Sequence, residues 1–377
     1  MRLLAIFAAL LTSMSTSEAL AKWENSANLN PRIESVYADV PDWARRAFLK
    51  TTLLARNGDF SFNFEGFGEY DIAQTALEPL GEPDLRKSRS TAELQELYVD
   101  GRLGSFFFRV GRQPVRWSQS WTIPSLDVFT GRRWNRLFVD PVPEQLTHPD
   151  GVLVSYAGTA FEADLFHVIQ RAENTFPVPL PDSPRLIRDQ TGARVKVRLG
   201  GFDFAFVGFR SPDDDLVGGS VSYAFESFVV KAEGGSRRYV PASNPASAVG
   251  DEAGFGLFGF DYFGNLGDLE INFSPQATWY KEPLVTGKNI ESIYYVPLRL
   301  TYKKTAFEAQ YYRTGETRDS FGSLMLTREL TDYKGASLKA SVFHQSYAGE
   351  RGRLFSLYES LTGSSLAGAR LDMNYTL

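Results

Sequence analysis

Residues 367–377, Ala-Gly-Ala-Arg-Leu-Asp-Met-Asn-Tyr-Thr-Leu, alternate between apolar side chains and polar or small ones. Successive residues of a strand point to opposite faces, so this segment is predicted to be a strand with one apolar and one polar face. In a soluble protein such a strand would be an exposed edge that invites aggregation. In a closed membrane barrel it would pair with the first strand and place its apolar face in lipid.

The same alternation recurs from Phe60 onward in segments of about 9–11 residues, the length that a tilted membrane strand needs. Tight turns such as Gly200-Gly201 and Lys303-Lys304 join the segments in pairs, and long connections such as 115–150 and 347–364 separate the pairs. Because short turns and long loops alternate in this way, we predict an all-β fold, an antiparallel up-and-down transmembrane barrel with short periplasmic turns and long extracellular loops. About sixteen strands are expected, with eighteen as the alternative; a strand over 353–360 would break the parity, so a loop helix is expected there.

A secreted soluble β-protein would show the same alternation with its apolar faces turned inward. Three features favour the membrane barrel. A ring of about sixteen strands encloses a lumen that side chains cannot fill. The polar faces carry charges at alternate positions, as at Arg194, Lys196 and Arg198, and Tyr and Phe cluster near segment ends, as interfacial girdles require.

The N-terminal region has the marks of export. Arg2 precedes a short apolar run and the small-residue site Ala19-Leu20-Ala21, so residues 1–21 are predicted to be a signal peptide. Residues 22–59 are expected to be an N-terminal periplasmic segment or plug, with a basic amphipathic helix over 44–56 or an extra strand over 48–56 as alternatives. The barrel is then expected to span residues 60–377.

Composition and motifs argue against several functions. The chain has no cysteine and a net charge of −5, which argues against a disulfide framework and a nucleic-acid partner. His148, His167 and His344 lack a recognisable nucleophile motif, so no catalytic residue is predicted and the protein is not expected to be an enzyme. No cofactor or metal site is expected, and Asp213-Asp214-Asp215 is interpreted as a solvated turn rather than a Ca²⁺ site.

The connection 115–150 is too long and aromatic to be a simple solvated loop. It could fold into the lumen and narrow it, with arginine planes and tryptophan faces forming a selective wall. Alternatively it could cover the outer mouth, or bind lipopolysaccharide phosphates through arginine. The basic row on the polar face of 194–198 indicates an anion path, unless acids on facing strands neutralise it. The candidate pore and constriction residues are Arg109, Arg112, Arg116, Trp117, Trp121, Asp127, Arg132, Arg133, Arg136, Arg194, Lys196, Arg198 and Lys231.

The densest motif is Val110-Gly-Arg-Gln-Pro-Val-Arg-Trp117, followed by Pro124, Asp127, Phe129 and the segment Pro149-Asp-Gly-Val152. This pattern resembles porin-like outer-membrane β-barrels of Gram-negative bacteria, in which a G-R-Q-x-x-x-W-G element leads into a long loop containing P-x-D-x-F. Ser118 replaces the glycine of that element, and one extra residue separates Pro124 from Asp127.

The resemblance implies transport across the outer membrane of a Gram-negative bacterium and does not identify the solute. Together with the loop and the basic row, it leads us to expect a porin or substrate-selective channel for small hydrophilic solutes, anions among them, with loop 115–150 as a candidate constriction. An exporter of an anionic polymer and a non-transport barrel, either a hydrolase or a scaffold, are the alternatives. The expected partners are outer-membrane lipid, lipopolysaccharide, a small-molecule solute and the barrel assembly machinery, which would engage the C-terminal strand. A homotrimer is compatible with the sequence.

Overall fold

The computed structural model describes residues 24–38, 44–71, 90–120, 126–127, 129–132, 146–170, 190–212, 214–239, 252–281, 291–315, 320–333, 336–348 and 365–376. These residues form strands, turns and irregular segments. The strands are β1 (Glu24–Ala38), β2 (Ala44–Asn57), β3 (Phe60–Asp71), β4 (Ser90–Leu103), β5 (Phe106–Arg112), β6 (Gly131–Arg132), β7 (Leu146–Thr147), β8 (Asp150–Ala157), β9 (Phe161–Gln170), β10 (Gln190–Leu199), β11 (Phe202–Arg210), β12 (Asp214–Phe225), β13 (Phe228–Tyr239), β14 (Glu252–Leu266), β15 (Leu269–Phe273), β16 (Gln276–Lys281), β17 (Glu291–Tyr302), β18 (Thr305–Thr314), β19 (Ser320–Tyr333), β20 (Ala336–Ala348) and β21 (Ser365–Thr376).

Nineteen of these segments form one antiparallel sheet that closes on itself, because β1 pairs with both β2 and β21. Strands β15 and β16 pair with the same two neighbours, β14 and β17, and the register continues unchanged from one segment to the other. They are therefore one strand position, interrupted at Ser274-Pro275, since proline has no N–H for the ladder. The ring has eighteen strand positions, the higher of the two predicted counts.

Tight turns and longer connections lie at opposite ends of the barrel, as the sequence predicted. Two-residue turns such as Gly200-Gly201 join neighbouring strands at one end, and both glycines have positive φ, as a tight hairpin turn requires. The first residue of β1 and the last of β21 lie at this same end, because β1 runs antiparallel to both of its neighbours.

The two faces of the sheet differ in chemistry. Phe206 and Val217 are 63% and 70% exposed on one face, whereas the adjacent Val207 and Leu216 are each 2% exposed on the other. Near the tight turns the apolar face carries a run of ring contacts from Phe202 through Tyr223, Phe225 and Phe228 to Tyr262. The other face carries cross-strand ion pairs, including Lys50–Glu65, Arg109–Asp100 and Arg299–Glu308. Apolar residues outside, an aromatic girdle and charges inside are the pattern of a membrane barrel.

For residues 22–59, the alternative of an extra strand over 48–56 lies within the observed β2, whereas the other expectations do not hold in the part that the structure describes. Residues 24–38 and 44–57 are not a plug, a periplasmic segment or a helix; they are β1 and β2, full members of the wall. The barrel therefore begins at Glu24 rather than Phe60. The physical reason is closure of the sheet. Without β1 and β2 between them, β3 and β21 would each have an unpaired edge.

The signal peptide, the 353–360 helix and Leu377 lie outside the described residues. No helix in the described ranges has the length and apolar character that crossing a bilayer requires.

Deleting residues 24–57 should abolish the barrel, because two adjacent wall strands are lost and the edges of β3 and β21 are exposed. The measurement is the heat-modifiable migration of the refolded protein in gels. Shortening the connection between β13 and β14, which removes none of the described strands, is the control and should preserve the folded band. A folded, heat-modifiable barrel without residues 24–57 would contradict the eighteen-strand ring.

Candidate functional site

The loop between β5 and β8 is fixed at both of its ends by the Gly-Arg-Gln element. Gly111 has a φ of +129° and lies so close to β4 that a Cβ would be 2.1 Å from the Leu97 carbonyl oxygen. Arg112 donates two hydrogen bonds to Asp150, at 2.9 and 3.1 Å, so the residue before the loop is paired with the residue after it. Gln113 is fully buried and donates to the Gly151 carbonyl at 3.0 Å.

Asp127 folds the loop back on itself. Its Oδ1 accepts hydrogen bonds from the backbone N–H groups of Trp117 and Ser118, the latter at 2.7 Å. Burial raises the pKa of Asp127 to about 6, against the opposing effects of these two N–H donors and of the nearby Arg116 and Arg194. The carboxyl group thus serves as an internal brace of the loop.

An apolar core fills the space between the loop and one side of the inner wall. Phe129 lies at its centre, with edge-on ring contacts to Trp117 at 5.1 Å, Phe166 at 4.9 Å and Phe209 at 5.2 Å. Edge-to-face pairs of this kind add to the stabilisation that comes from burial. The members are Val115, Trp117, Leu126 and Phe129 of the loop and Phe166, Val168, Val207, Phe209 and Leu216 of β9, β11 and β12.

Two glycines of the wall make room for this core. A Cβ on Gly192 of β10 would lie 2.6 Å from Cζ of Phe129, and a Cβ on Gly218 of β12 would lie 2.7 Å from Cδ2 of Leu126. Both distances are too short for a real contact, so any larger residue at either position would push the loop away from the wall.

Polar contacts continue the attachment further around the barrel. Glu233 of β13 accepts hydrogen bonds from the Ser118 hydroxyl at 2.8 and 3.0 Å and from the Gln119 N–H at 2.7 Å. The Gln119 side chain donates to Ser220 of β12 at 3.2 Å. Gln276 of β16 donates to the Ser120 hydroxyl at 3.4 Å. All of these wall residues share the inward face with Leu216 and Val207, since they occupy alternate or directly paired positions.

The loop crosses the lumen as a chord. From β5 to β16 the wall runs through eight strand-to-strand steps: β5 to β8, then one strand at a time to β14, then β16. At about 4.8 Å a step, that arc is at least about 38 Å, and strand tilt makes it longer. The eight Cα–Cα steps from Arg112 to Ser120 span at most about 29 Å when fully extended. The chain cannot follow the wall, so residues 113–120 leave it and cut across the interior.

The predicted basic row is largely neutralised by acids on neighbouring strands. Arg194 pairs with Asp164, and its second role is to hold the loop: it donates to the Arg116 carbonyl at 3.4 Å and lies 5.7 Å from the centre of the Trp117 ring. Lys196 and Arg198 share Glu162, with Lys196 at 3.8 Å.

The other described candidates fall into two groups. Arg109 is paired with Asp100 at 2.6 Å, and Lys231 with Asp261 at 2.8 Å. Arg116 differs from these residues: its side chain is exposed, and within the described residues no carboxylate lies within ion-pair distance of it.

Three of the candidates, Trp121, Arg133 and Arg136, lie outside the described residues. Arg132 is described only through its backbone pairing with Leu146 in the small β6–β7 sheet. Over the described part of the chain, no cluster of three or more His, Asp or Glu side chains is arranged to hold a metal ion. Glu233 and Gln276 could not be predicted as site residues from sequence, because their partners lie far away along the chain.

No family model and no curated protein matches the chain. Solved structures do match its fold. OccAB1 of Acinetobacter baumannii has a TM-score of 0.62 at 9% identity, with 94% of this chain and 96% of that chain covered. OpdK of Pseudomonas aeruginosa, crystallised with vanillate, has a TM-score of 0.60 at 11% identity, with 95% and 99% covered.

OccK2 (OpdF) of Pseudomonas aeruginosa, in complex with glucuronate, has a TM-score of 0.58 at 12% identity, with 94% of this chain and 98% of that chain covered. OpdK is an outer membrane protein. At these identities the likeness establishes a shared fold, and it extends over nearly the full length of each chain.

Asp127 should make the position of the loop depend on pH. Because the pKa of Asp127 in the folded loop, about 6, lies above the ordinary 3.8, the folded loop binds the proton more tightly and gains stability as the pH falls through 6 toward 4. Current fluctuations of single channels should therefore decrease from pH 7 to pH 5. In Asp127→Asn, the fluctuations should change less with pH, because the titrating carboxyl group is absent. If the fluctuations of the variant changed with pH as much as those of the wild type, the role assigned to Asp127 would be contradicted.

Proposed function

We propose that the protein is an outer-membrane channel of a Gram-negative bacterium that passes small hydrophilic anions, above all carboxylates. The observation that carries the proposal is the chord: a loop held across the lumen of an eighteen-stranded barrel narrows a passage that would otherwise be wide and unselective. Partition into the outer membrane follows from the apolar outer face and the N-terminal export signal.

The passage lies on the side of the loop opposite the apolar core. There the inward-facing positions of the wall are polar or charged, and several are already ion-paired across strands. They include Lys50, Glu65, Arg299, Glu308, Gln310, Ser341 and Asp372. Such a surface is wetted and has both signs of charge, so it favours hydrophilic solutes without by itself choosing between anions and cations.

Arg116 gives the passage its preference for anions over cations. Its exposed guanidinium stands on the loop that crosses the lumen, whereas Arg109, Arg194, Arg198 and Lys231 already have carboxylate partners. A guanidinium that has no carboxylate within ion-pair distance among the described residues matches the two oxygens of a solute carboxylate. Vanillate and glucuronate, found with OpdK and OccK2, are both carboxylates, which supports this class of solute for the shared fold.

Conduction and selectivity can be measured together in planar bilayers and in liposome swelling. The wild type should conduct and should admit glucuronate and benzoate faster than neutral sugars of similar size. In Arg116→Gln, blocking of the ionic current by a carboxylate solute should weaken about tenfold or more, since a hydrogen-bonded charge pair is lost. Arg198→Gln is the matched control, because Glu162 and Asp203 already neutralise that charge.

Two outcomes would count against the proposal in different ways. A folded barrel that gives neither current nor swelling would contradict the channel function. A conducting channel in which Arg116→Gln and Arg198→Gln behave alike would keep the channel and reject Arg116 as the source of anion preference.

A further inference from the structure

We infer that Glu233 is the positioning residue that fixes the loop across the lumen, an inference that rests on the proposed channel function. Glu233 is 6% exposed, and no basic side chain in the described part of the chain lies within ion-pair distance of it. Its hydrogen-bond donors come from the loop: the Ser118 hydroxyl and the Gln119 backbone N–H. The carboxyl oxygens of Glu233 accept these hydrogen bonds, so the loop is what satisfies this buried polar group.

This contact couples the wall and the loop in both directions. If the loop moved away, Glu233 would lose its donors, and Ser118 and Gln119 would lose their acceptor. Removing one partner from a buried hydrogen-bonded pair leaves the other partner uncompensated. Removal of the carboxylate should therefore raise the ratio of displaced to seated loop on the order of tenfold.

The test compares Glu233→Ala with Asp261→Ala, which removes an inward-facing acid that contacts Lys231 rather than the loop. Glu233→Ala should raise single-channel conductance and current noise while the heat-modifiable barrel persists, and Asp261→Ala should not. Ser118→Ala combined with Glu233→Ala should be less than additive, because both changes break the same contact. Glu233→Gln, which keeps one acceptor oxygen, should restore part of the wild-type conductance.

If the wild type conducts and Glu233→Ala has the same conductance, the inference is overturned while the channel function stays intact. Additive effects of Ser118→Ala and Glu233→Ala would overturn it as well. Absence of current in the wild type would instead contradict the proposed function.

A second inference concerns the seam where β21 meets β1. Neighbouring strands elsewhere in the wall are joined by a connection, and the tight turns set the register of their hairpins. No turn links β21 to β1, because they lie at opposite ends of the chain. Their register must therefore be set by the residues that face each other.

Opposite charges face each other at this seam. Arg370 of β21 is opposite Glu34 of β1, and Asp372 is opposite Arg32. The alternation of sign continues on both sides: Asp372 is also opposite Lys339 of β20, and Glu34 is also opposite Arg46 of β2. Opposite charges at directly facing positions stabilise a sheet by roughly 0.2–1 kcal/mol per pair, and like charges destabilise it.

Positions 32 and 34 of β1 and positions 370 and 372 of β21 also disfavour the competing registers. A slip by one residue would turn the apolar face of β21 inward. A slip by two residues keeps the faces, but in one direction it sets Arg370 opposite Arg32, and in the other it sets Asp372 opposite Glu34. We propose that the charges at positions 32, 34, 370 and 372 select the register in which the barrel closes.

A charge swap tests the seam. Arg370→Glu places like charges at the seam and should reduce the folded, heat-modifiable fraction after refolding in detergent, and Glu34→Arg in the same chain should restore it. The control is Arg299→Glu, which makes the same change opposite Glu308 within the β17–β18 hairpin, where the turn Lys303-Lys304 already fixes the register. The control should fold as well as the wild type.

Normal folding of Arg370→Glu would overturn this second inference. So would a double variant that folds no better than Arg370→Glu alone. A loss of folding in the Arg299→Glu control equal to that in Arg370→Glu would also overturn it, because the effect would then belong to any inward-facing charge pair.

Discussion

The requirement that every strand of the wall have two partners governs the rest of this structure. An unpaired strand edge in hydrocarbon leaves backbone N–H and C=O groups without hydrogen bonds, at a cost of several kcal/mol for each group. The chain meets the requirement by pairing β1 with β21. Two consequences follow: the N-terminal residues 24–57 belong to the wall, and the ring has eighteen strand positions.

The width of that ring creates the need for the loop. Eighteen strands enclose more space than their own side chains can fill, so an empty barrel of this size is an aqueous channel with little selectivity. The loop after β5 reduces this space by attaching to one side of the wall. Its attachment combines burial of Trp117, Leu126 and Phe129 with carboxylate acceptors at Asp127 and Glu233. The apolar contacts hold the loop against β9, β11 and β12, and the carboxylates fix the direction in which residues 117–119 run.

Much of the fold could be predicted from the sequence, because side-chain alternation and turn residues are local signals. The β21 pattern, the Gly200-Gly201 turn and the alternation of short turns and long loops each predict the barrel without any knowledge of contacts between distant residues. Of the first two strands, the sequence predicted only part of β2, as the alternative strand over 48–56. The physical reason is that in residues 44–57 the charges Arg45, Arg46 and Lys50 fit a helical spacing as well as a strand.

The site was harder to predict because it depends on register and on distant contacts. Alternation cannot distinguish Phe166 and Val207, which pack on the loop, from lipid-facing residues of the same type. Only the pairing of β9 with β10 shows that Asp164 and Glu162 neutralise the row 194–198. Glu233 lies more than a hundred positions from Ser118, so no local pattern could have linked them.

The most direct measurement of the central claim is the single-channel conductance of a variant that lacks residues 119–138. This deletion removes Asp127 and Phe129, and with them the inner brace and the centre of the apolar core, but it leaves all eighteen strand positions. If the loop narrows the lumen as a chord, conductance should rise clearly above that of the wild type while heat-modifiable folding is retained. A folded variant with unchanged conductance would contradict the account.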